Sequence, residues 1–222
     1  FLLSGFATPD PELQSKYAVM GKTFLVVIDR IALSDIVMAD TPHIDSILEK
    51  GGIALMTTNT GGSRSQRDAY LTMGAGTRVA AADKSQLGFH VDEVFQGSRA
   101  GDLYLQITGS QPFEGSIINL GFVQSFRKNS QRPYTVNIGA LGTALRKAGV
   151  RAAVIGNCDI PGEYKRYLVS LMMDDRGTVP AGLVDGSFLV SDLSRPFGIR
   201  TDYDVLLKSI DELWNTTDVF AI

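Results

Sequence analysis

The residues best suited to chemistry lie in one stretch, residues 60–78, whose sequence is TGGSRSQRDAYLTMGAGTR. Its first residues are mainly glycine and serine, and residues 66–73 are compatible with a helix that ends at a glycine turn. Ser63 and Ser65 therefore precede a predicted helix, where unpaired backbone N–H groups and the helix dipole favour an anion. The stretch indicates a phosphate or oxyanion site. The alternative is that Ser63 or Ser65 simply caps the helix, and these residues alone favour the cap.

A second candidate is Asp29, which follows the apolar run FLVVI within residues 23–28. An apolar run without alternation is typical of a strand buried on both faces, as in a parallel sheet. A carboxylate at the carboxyl end of such a strand lies where open α/β sheets bind ligands. An isolated aspartate serves a turn or a helix cap equally well, so both interpretations stay open.

The elements around these candidates alternate in type. Thr41 and Pro42 have the residue types of a helix start, and the helix is expected to end at Gly51. A strand is predicted at residues 53–58, and it leads directly into the serine-containing stretch. Strand, helix, strand, glycine-rich loop and helix in succession predict an α/β fold with a mostly parallel sheet. The chain shows no repeats or linkers, so residues 1–222 are expected to form one domain.

The rest of the chain continues the alternation. Helices are predicted at residues 100–108, through residues 122 and 126, at 138–148 and at 202–214. Strands are predicted at residues 116–120, 151–155, 168–173 and 218–222, and loops at 87–95 and 196–201. Asn157, Asp159 and Asp174 then follow predicted strands, at the same sheet edge as Asp29. Turn chemistry accounts for these polar residues equally well.

Composition limits the classes of function. The net charge is −3, with 21 basic and 24 acidic residues well mixed, so no basic face indicates nucleic acid or an anionic membrane. No apolar run is long enough to span a bilayer, and the opening FLLSGFA is also too short. The single cysteine, Cys158, excludes an internal disulfide and a zinc site built from thiolates.

The two histidines give a weak signal for metal. His43 falls in the first turn of the helix that starts at Pro42, where a surface or capping role is expected. His90 is close to Asp92 and Glu93 in sequence, but no spacing typical of metal ligands is met. A solvated loop is therefore favoured over a metal site at residues 90–93.

Three segments taken together resemble the N-terminal half of the alkaline phosphatase superfamily, which includes phosphatases, sulfatases, nucleotide pyrophosphatases and phosphoglycerate mutases. The segment TPHIDSILEKGG at residues 41–52 is similar to the TPNLDRLAEEG element of sulfatases, and residues 71–78 are similar to the LNIGAGR run of mutases. Asp29 and Ser65 are 36 residues apart and Tyr70 follows, which resembles nucleotide pyrophosphatases. The resemblance covers about residues 23–80.

Later segments, VIGNCD, MMDDRG and RPFGIRTDYD, resemble a bacterial branch of the same superfamily that carries such a domain on exported or membrane-anchored proteins. This implies a location in the cell envelope or outside the cytoplasm, with the cytoplasm as the alternative. Any membrane contact would come from segments outside this chain. The implied partner is a small anionic ester substrate, with no nucleic acid.

The resemblance implies a three-layer α/β/α fold and in-line attack on a phosphate or sulfate ester. A divalent metal (Zn, Mn or Mg) would activate the nucleophile. No other cofactor is implied. The implied roles are nucleophile for Ser65 with Ser63 as the alternative, metal ligand for Asp29 with Asp159 and Asp174 as further candidates, and substrate binding for Arg64, Arg78 and Asn157.

The chain also departs from the pattern of this superfamily. Counting back from the GAG turn in the mutase manner places the nucleophile at Gln66, which cannot serve, and Arg30 stands where relatives have a small residue. A complete two-metal centre needs several more histidines and aspartates.

Two hypotheses follow. The first is a metal-dependent phosphoryl or sulfuryl hydrolase or transferase domain whose metal site is incomplete, because this chain lacks the C-terminal ligands. The second is a non-catalytic relative that binds an anionic ligand or a protein partner.

Overall fold

The chain folds around a parallel β-sheet. The structure is a computed structural model that describes residues 21–54, 56, 57 and 59–222. The strands are β1 (Thr23–Leu25), β2 (Gly88–His90), β3 (Val94–Phe95), β4 (Ser98–Arg99), β5 (Ile117–Asn119), β6 (Ala152–Ile155), β7 (Thr178–Val179), β8 (Ala181–Leu183), β9 (Leu189–Ser191), β10 (Ile199–Thr201) and β11 (Val219–Ala221). The helices are α1 (Leu33–Met38), α2 (Pro42–Lys50), α3 (Gln66–Ala75), α4 (Ala100–Thr108), α5 (Phe122–Asn129), α6 (Ala140–Lys147), α7 (Tyr167–Met172) and α8 (Tyr203–Leu213).

The parallel sheet has the strand order β1-β11-β6-β8. Phe220 of β11 lies opposite Phe24 on one side and Ala153 on the other. Three of these strands, β1, β6 and β11, fall within the segments predicted as strands, and the α/β class is confirmed. The apolar runs that form these three strands are short. Strands β6 and β11, in the middle of the sheet, are more deeply buried than β1 at its edge.

Side chains of β6 alternate between the two faces of this sheet, as the period of a strand requires. Ala152 and Val154 belong to the larger hydrophobic cluster, which also contains residues of α3 and α7. Ala153 and Ile155 belong to a second cluster with Phe220, against which α8 packs. The helical periodicity of residues 202–214 predicted this inward face of α8, and the prediction is confirmed.

The predicted helices are found, with ends shifted by a few residues. The helix expected from Thr41 is α2, with Thr41 as N-cap, proline in its first turn and Gly51 as C-cap. The helix expected at residues 66–73 is α3, which extends to Ala75 and ends at Gly76 in the left-handed conformation with φ of 62°. Capping residues and glycine stops are local signals, which explains why they were readable in the sequence.

Residues 168–173 were predicted to be a strand, and this prediction is wrong, because they belong to helix α7. All six residues of α7 are buried. A short apolar run buried on every side has no polar face, so its periodicity cannot separate a strand from a helix. As a consequence, Asp174 follows a helix rather than a strand of the parallel sheet.

Two further predictions of local structure are wrong. No strand forms at the described residues of 53–58, where Ile53 and Met56 are 66% and 75% exposed. Residues 87–95, predicted as a loop, contain β2 and β3. Strand β2 joins β5 and β7 in an antiparallel sheet, and Phe89 pairs there with Ile118.

The predicted loop at 196–201 is also partly a strand, because β10 pairs with β9 in an antiparallel hairpin. Such two- and three-residue strands are too short to leave an alternating pattern in the sequence. Within the residues that the structure describes, no helix is both long enough and apolar enough to cross a membrane.

Candidate functional site

Asp29 lies beyond the end of β1 and contacts the first two turns of α3. Its Oδ2 atom accepts hydrogen bonds from Gln66 Nε2 at 2.7 Å and from the Tyr70 hydroxyl at 3.1 Å. Arg30 adopts a positive φ of 58°, and its Nη2 donates to Gln66 Oε1 at 2.7 Å. The segment after β1 is therefore fastened to one face of α3 through side chains.

A cavity of about 450 Å³ opens at the carboxyl ends of β1, β6 and β11. This carboxyl-edge cavity has mainly apolar walls, and its polar lining includes Tyr70, Asn157, Cys158, Lys165 and Tyr167. Both its size and its place at the carboxyl edge of a parallel sheet are typical of small-molecule sites. The predicted ligand site at this edge stays a prediction. Lys165 and Tyr167, which also line the cavity, were not predicted, and they lie near the start of a helix that was taken for a strand.

The Tyr70 hydroxyl and the Cys158 thiol, which line this cavity, are both shifted toward their uncharged forms. Burial, followed by the charge of Asp29 and its hydrogen bond, raises the pKa of Tyr70. Loss of surrounding water, followed by the charges of Asp29 and Asp159, raises the pKa of the Cys158 thiol. Arg30 and Lys165 act in the opposite direction on that thiol. Cys158 consequently stays protonated at neutral pH and is a poor nucleophile.

Ser65 is the N-cap of α3. Its Oγ accepts from the Asp68 backbone N–H at 3.3 Å and donates to Asp68 Oδ2 at 2.8 Å. The Asp68 carboxylate in turn accepts from the Ser65 backbone N–H, which completes a capping box. Ser63 Oγ donates to the same Oδ2 atom at 3.0 Å. The structure thus confirms the capping interpretation for Ser65, and its nucleophilic role stays a prediction.

Asp68 is the centre of this arrangement and is 4% exposed. Burial alone would raise its pKa, but hydrogen bonds from the Ala81 backbone and from Ser65 and Ser63 outweigh burial and lower the pKa. The carboxylate therefore stays ionised near neutral pH. A carboxylate with a lowered pKa is a weak base for removing a proton from a serine hydroxyl.

Asp29 and the Ser65 hydroxyl form their side-chain hydrogen bonds with different residues of α3. Gln66 and Tyr70, which hold Asp29, are four residues apart and share one face of α3. Asp68, which holds the Ser65 hydroxyl, is two residues from each of them and lies about 200° around the helix axis. Ser63, Ser65 and Asp68 line a separate cleft of about 300 Å³. Cationic side chains of Arg67, Lys128 and Arg132 also line that cleft.

The other two carboxylates predicted as metal ligands are held by arginines. Asp159 Oδ2 accepts from Arg166 Nε at 2.9 Å, and Asp174 Oδ2 forms an ion pair with Arg146 Nε at 2.9 Å. Asp174 also accepts from the Thr178 hydroxyl at 3.1 Å and closes a turn. Across the described parts of the chain, no group of three or more His, Cys, Asp or Glu residues is arranged to hold a metal ion.

The three predicted substrate-binding residues are dispersed. Asn157 lines the carboxyl-edge cavity, and its Nδ2 donates to the carbonyls of Val184 at 3.1 Å and Asp185 at 2.6 Å. Arg64 is exposed in the loop before α3 with φ of 60°. Arg78 is exposed beyond the end of α3. Of the three, Asn157 is therefore the residue that shares a cavity with the contacts of Asp29.

The cluster at residues 90–93 is explained by structural contacts. His90 Nδ1 accepts from the Asp92 backbone N–H at 3.2 Å, and the Asp92 carboxylate pairs with Arg99. Glu93 Oε2 lies 2.7 Å from Arg166 Nη1. Each side chain of the cluster thus has a polar partner of its own.

We expect Ser65→Ala to lower the free energy of unfolding by about 1 kcal/mol, because it removes the N-cap of α3. Chemical denaturation followed by circular dichroism measures the change. Ser65→Thr retains a capping hydroxyl and serves as the matched control, with a much smaller loss. Equal stability of Ser65→Ala and the unmodified protein would contradict the capping role.

Comparison of the chain with protein-family models, with curated proteins and with solved structures gives no match. The resemblance to the alkaline phosphatase superfamily therefore depends on the sequence segments quoted above, and the site has to be interpreted from its own geometry.

Proposed function

We propose that the chain is an α/β domain that binds a small anionic ester, of phosphate or sulfate type, without hydrolysing it by itself. The observation that carries the proposal is the carboxyl-edge cavity, where Tyr70 and Asn157 line a space of about 450 Å³ beside Asp29. In this view the protein is a non-catalytic scaffold of the alkaline phosphatase type, with helices on both faces of its parallel sheet. The same resemblance extends the proposal to a location in the cell envelope.

The charges and walls of the cavity support an ester as the ligand. The mainly apolar lining suits an organic group, which would leave water on entering. Arg30 and Lys165 supply positive charge near Cys158 at the same edge. The Arg30 guanidinium donates to the neutral amide of Gln66, and a guanidinium fork can bind phosphate or sulfate oxygens. A ligand with an apolar body and one anionic group satisfies both features.

The position of the serine hydroxyls supports binding without hydrolysis. A nucleophile has to stand about 3–3.5 Å from the atom it attacks. The hydroxyls of Ser63 and Ser65 donate to Asp68 instead. Both serines line the separate cleft of about 300 Å³ and are not among the lining residues of the carboxyl-edge cavity, which supports binding there without attack by either hydroxyl.

A second candidate function is metal-dependent phosphoryl or sulfuryl transfer, as a hydrolase or transferase. The observation that favours it is the 2.7 Å contact of Asp29 with Gln66, because Gln66 is the residue next to Ser65. Asp29 would hold a divalent metal such as Zn, Mn or Mg, which would supply charge stabilisation and lower the pKa of the attacking hydroxyl. The Asp29 carboxylate alone does not form a complete donor set, so further ligands would have to come from outside the described residues.

We expect phenyl phosphate to bind at the carboxyl-edge cavity without turnover. We expect Arg30→Gln to weaken binding at that cavity about tenfold or more, which corresponds to about 1.4 kcal/mol. Calorimetric titration measures binding. Hydrolysis of 4-nitrophenyl phosphate and sulfate is followed after equilibration with Mg, Mn or Zn, together with the amount of bound metal. Arg195→Gln, which changes an exposed arginine in the β9–β10 hairpin, is the control.

The outcomes separate the two candidates. Binding that is lost in Arg30→Gln and retained in Arg195→Gln, with no metal-stimulated hydrolysis, supports the scaffold. Hydrolysis that requires stoichiometric metal and disappears in Ser65→Ala would establish the enzyme instead. A lack of binding at about 10 mM ligand, where an affinity worth less than roughly 3 kcal/mol goes undetected, would contradict the scaffold proposal.

A further inference from the structure

A second cavity, of about 490 Å³, lies between the end of α4, the helix α5 and the turn that precedes β7. It shares no lining residue with the carboxyl-edge cavity. We call it the arginine cavity, because Arg127 and Arg176 both line it. Its volume falls in the range of sites that hold a small molecule.

The arginine cavity carries a positive charge. Arg127 lies in the last turn of α5, and Arg176 lies in the turn before β7; both side chains are exposed. Within the described part of the chain, the ion pairs involve other basic residues and leave these two guanidinium groups without a carboxylate partner. Asp175 also lines the cavity, but its carboxylate accepts from Arg146 Nη2 at 2.8 Å.

An aromatic ring stands beside these charges. Phe113 is 59% exposed, although it lines the cavity, and the guanidinium carbon of Arg176 lies 5.6 Å from the centre of its ring. Pro112 and Ile107 extend the apolar wall. A large aromatic side chain left half in water beside a cation offers a surface on which a second planar ring can stack.

The turn that presents Arg176 is held in place by its neighbours. The buried Tyr104 donates its hydroxyl proton to the Arg176 carbonyl at 2.7 Å. The next residue, Gly177, has φ of 79°, and a Cβ atom there would stand 2.6 Å from the Phe122 side chain. The backbone at Arg176 is therefore fixed on both sides, which lowers the entropy cost when its side chain binds a ligand.

We propose that the arginine cavity binds a phosphate monoester carried on an aromatic or heteroaromatic ring. The two guanidinium groups supply paired N–H donors for the phosphate oxygens, a geometry that lysine would not reproduce. Phe113 supplies the stacking surface for the ring. The net charge of −3 and the mixed surface argue for a small ligand in this cavity rather than a nucleic acid polymer.

The test is a titration of the isotope-labelled protein with phenyl phosphate up to about 10 mM, followed by the backbone amide signals in NMR spectra. We expect the amides of Gln111, Phe113 and Arg176 to shift together and to give one dissociation constant. Inorganic phosphate, which lacks the ring, is expected to bind about tenfold more weakly.

Variants assign the contacts. The double variant Arg127→Gln/Arg176→Gln is expected to bind phenyl phosphate at least about tenfold more weakly, since it removes both charged donors to the phosphate oxygens. Phe113→Leu is expected to weaken phenyl phosphate but to leave inorganic phosphate unchanged. Arg195→Gln is the control, and the spectrum of every variant reports whether it is folded.

Three results would overturn the proposal. They are shifts confined to residues of the carboxyl-edge cavity, an affinity that the double arginine variant leaves unchanged, and equal binding of inorganic and phenyl phosphate. Arg30 contacts Gln66 beside Asp29 and does not line the arginine cavity. Loss of binding in Arg30→Gln and not in the arginine variants would therefore assign the ligand to the first site.

Discussion

Replacing Arg166 by methionine is expected to lower the free energy of unfolding by about 3–5 kcal/mol, the typical cost of breaking a buried ion pair from one side. The Arg166 side chain is 2% exposed. Its Nε donates to Asp159 Oδ2 at 2.9 Å, and its Nη1 donates to Glu93 Oε2 at 2.7 Å and to the Gly88 carbonyl at 3.0 Å. Without the guanidinium, the carboxylates of Asp159 and Glu93 would lose the positive charge with which both are paired.

The surroundings of Arg166 keep it charged. Burial by itself would lower its pKa, but Glu93 and Asp159 outweigh burial and raise it. The guanidinium also stacks on the rings of Phe89 and Tyr164, each 4.8 Å away. Methionine fills part of the same volume, so the expected loss comes mainly from charge rather than from a cavity.

Urea denaturation followed by circular dichroism measures this effect. Lys208→Met is the matched control, because Lys208 forms an exposed pair with Glu212 at 3.6 Å that is worth about 0.5 kcal/mol or less. The triple variant Arg166→Met/Asp159→Asn/Glu93→Gln is expected to recover part of the loss, since it removes the unpaired charges as well. A change below about 1 kcal/mol in Arg166→Met would mean that the ion pairs are not formed in solution.

Gly74→Ala is expected to destabilise the protein by about 1–3 kcal/mol, the usual cost of overpacking. In an exposed helix the same change stabilises by about 1 kcal/mol, because alanine is the better helix former. Gly74 is buried in α3 at its contact with α7. A Cβ atom there would lie 2.5 Å from the Leu171 carbonyl oxygen and 2.8 Å from that of Ser170. These are backbone atoms, so the two helices would have to move apart.

Thermal or urea denaturation gives the sign of the effect. Gly186→Ala is the control, since no atom lies within 4 Å of a Cβ at that position. Its stability is expected to stay within about 1 kcal/mol of the unmodified protein. A stabilised Gly74→Ala variant would show that α3 and α7 are not in close contact in solution.

Much of the local structure was predictable because its signals are local. The start of α3 follows from Ser65 and from Asp68 three residues later, a capping pattern that depends on neighbouring residues. Strands β6 and β11 follow from apolar runs buried on both faces of the sheet. Helix α7 was missed because complete burial leaves no polar face to reveal a helical period.

Asp29 contacts Gln66 and Tyr70, whereas the Ser65 hydroxyl contacts Asp68. This difference was not predictable from the positions of Asp29 and Ser65 in the chain. Proximity in sequence to the same helix start suggested one site, but a helix presents neighbouring residues on different faces. The spacing of Gln66 and Tyr70 was the available signal. Two polar side chains four residues apart indicated which face of α3 would receive a carboxylate. The ion pairs of Asp159 with Arg166 and of Asp174 with Arg146 left no pattern that the sequence alone would reveal.

The close contact of α3 and α7 has a consequence for the cavity at the carboxyl edge. Tyr70 from the first helix and Tyr167 from the second stand side by side in its wall, with ring centres 5.7 Å apart. Since the two backbones touch through Gly74, neither ring can shift far without carrying the other helix along. This side of the cavity is therefore rigid and preorganised. Little of the binding free energy of a ligand would be lost to rearrangement of this wall.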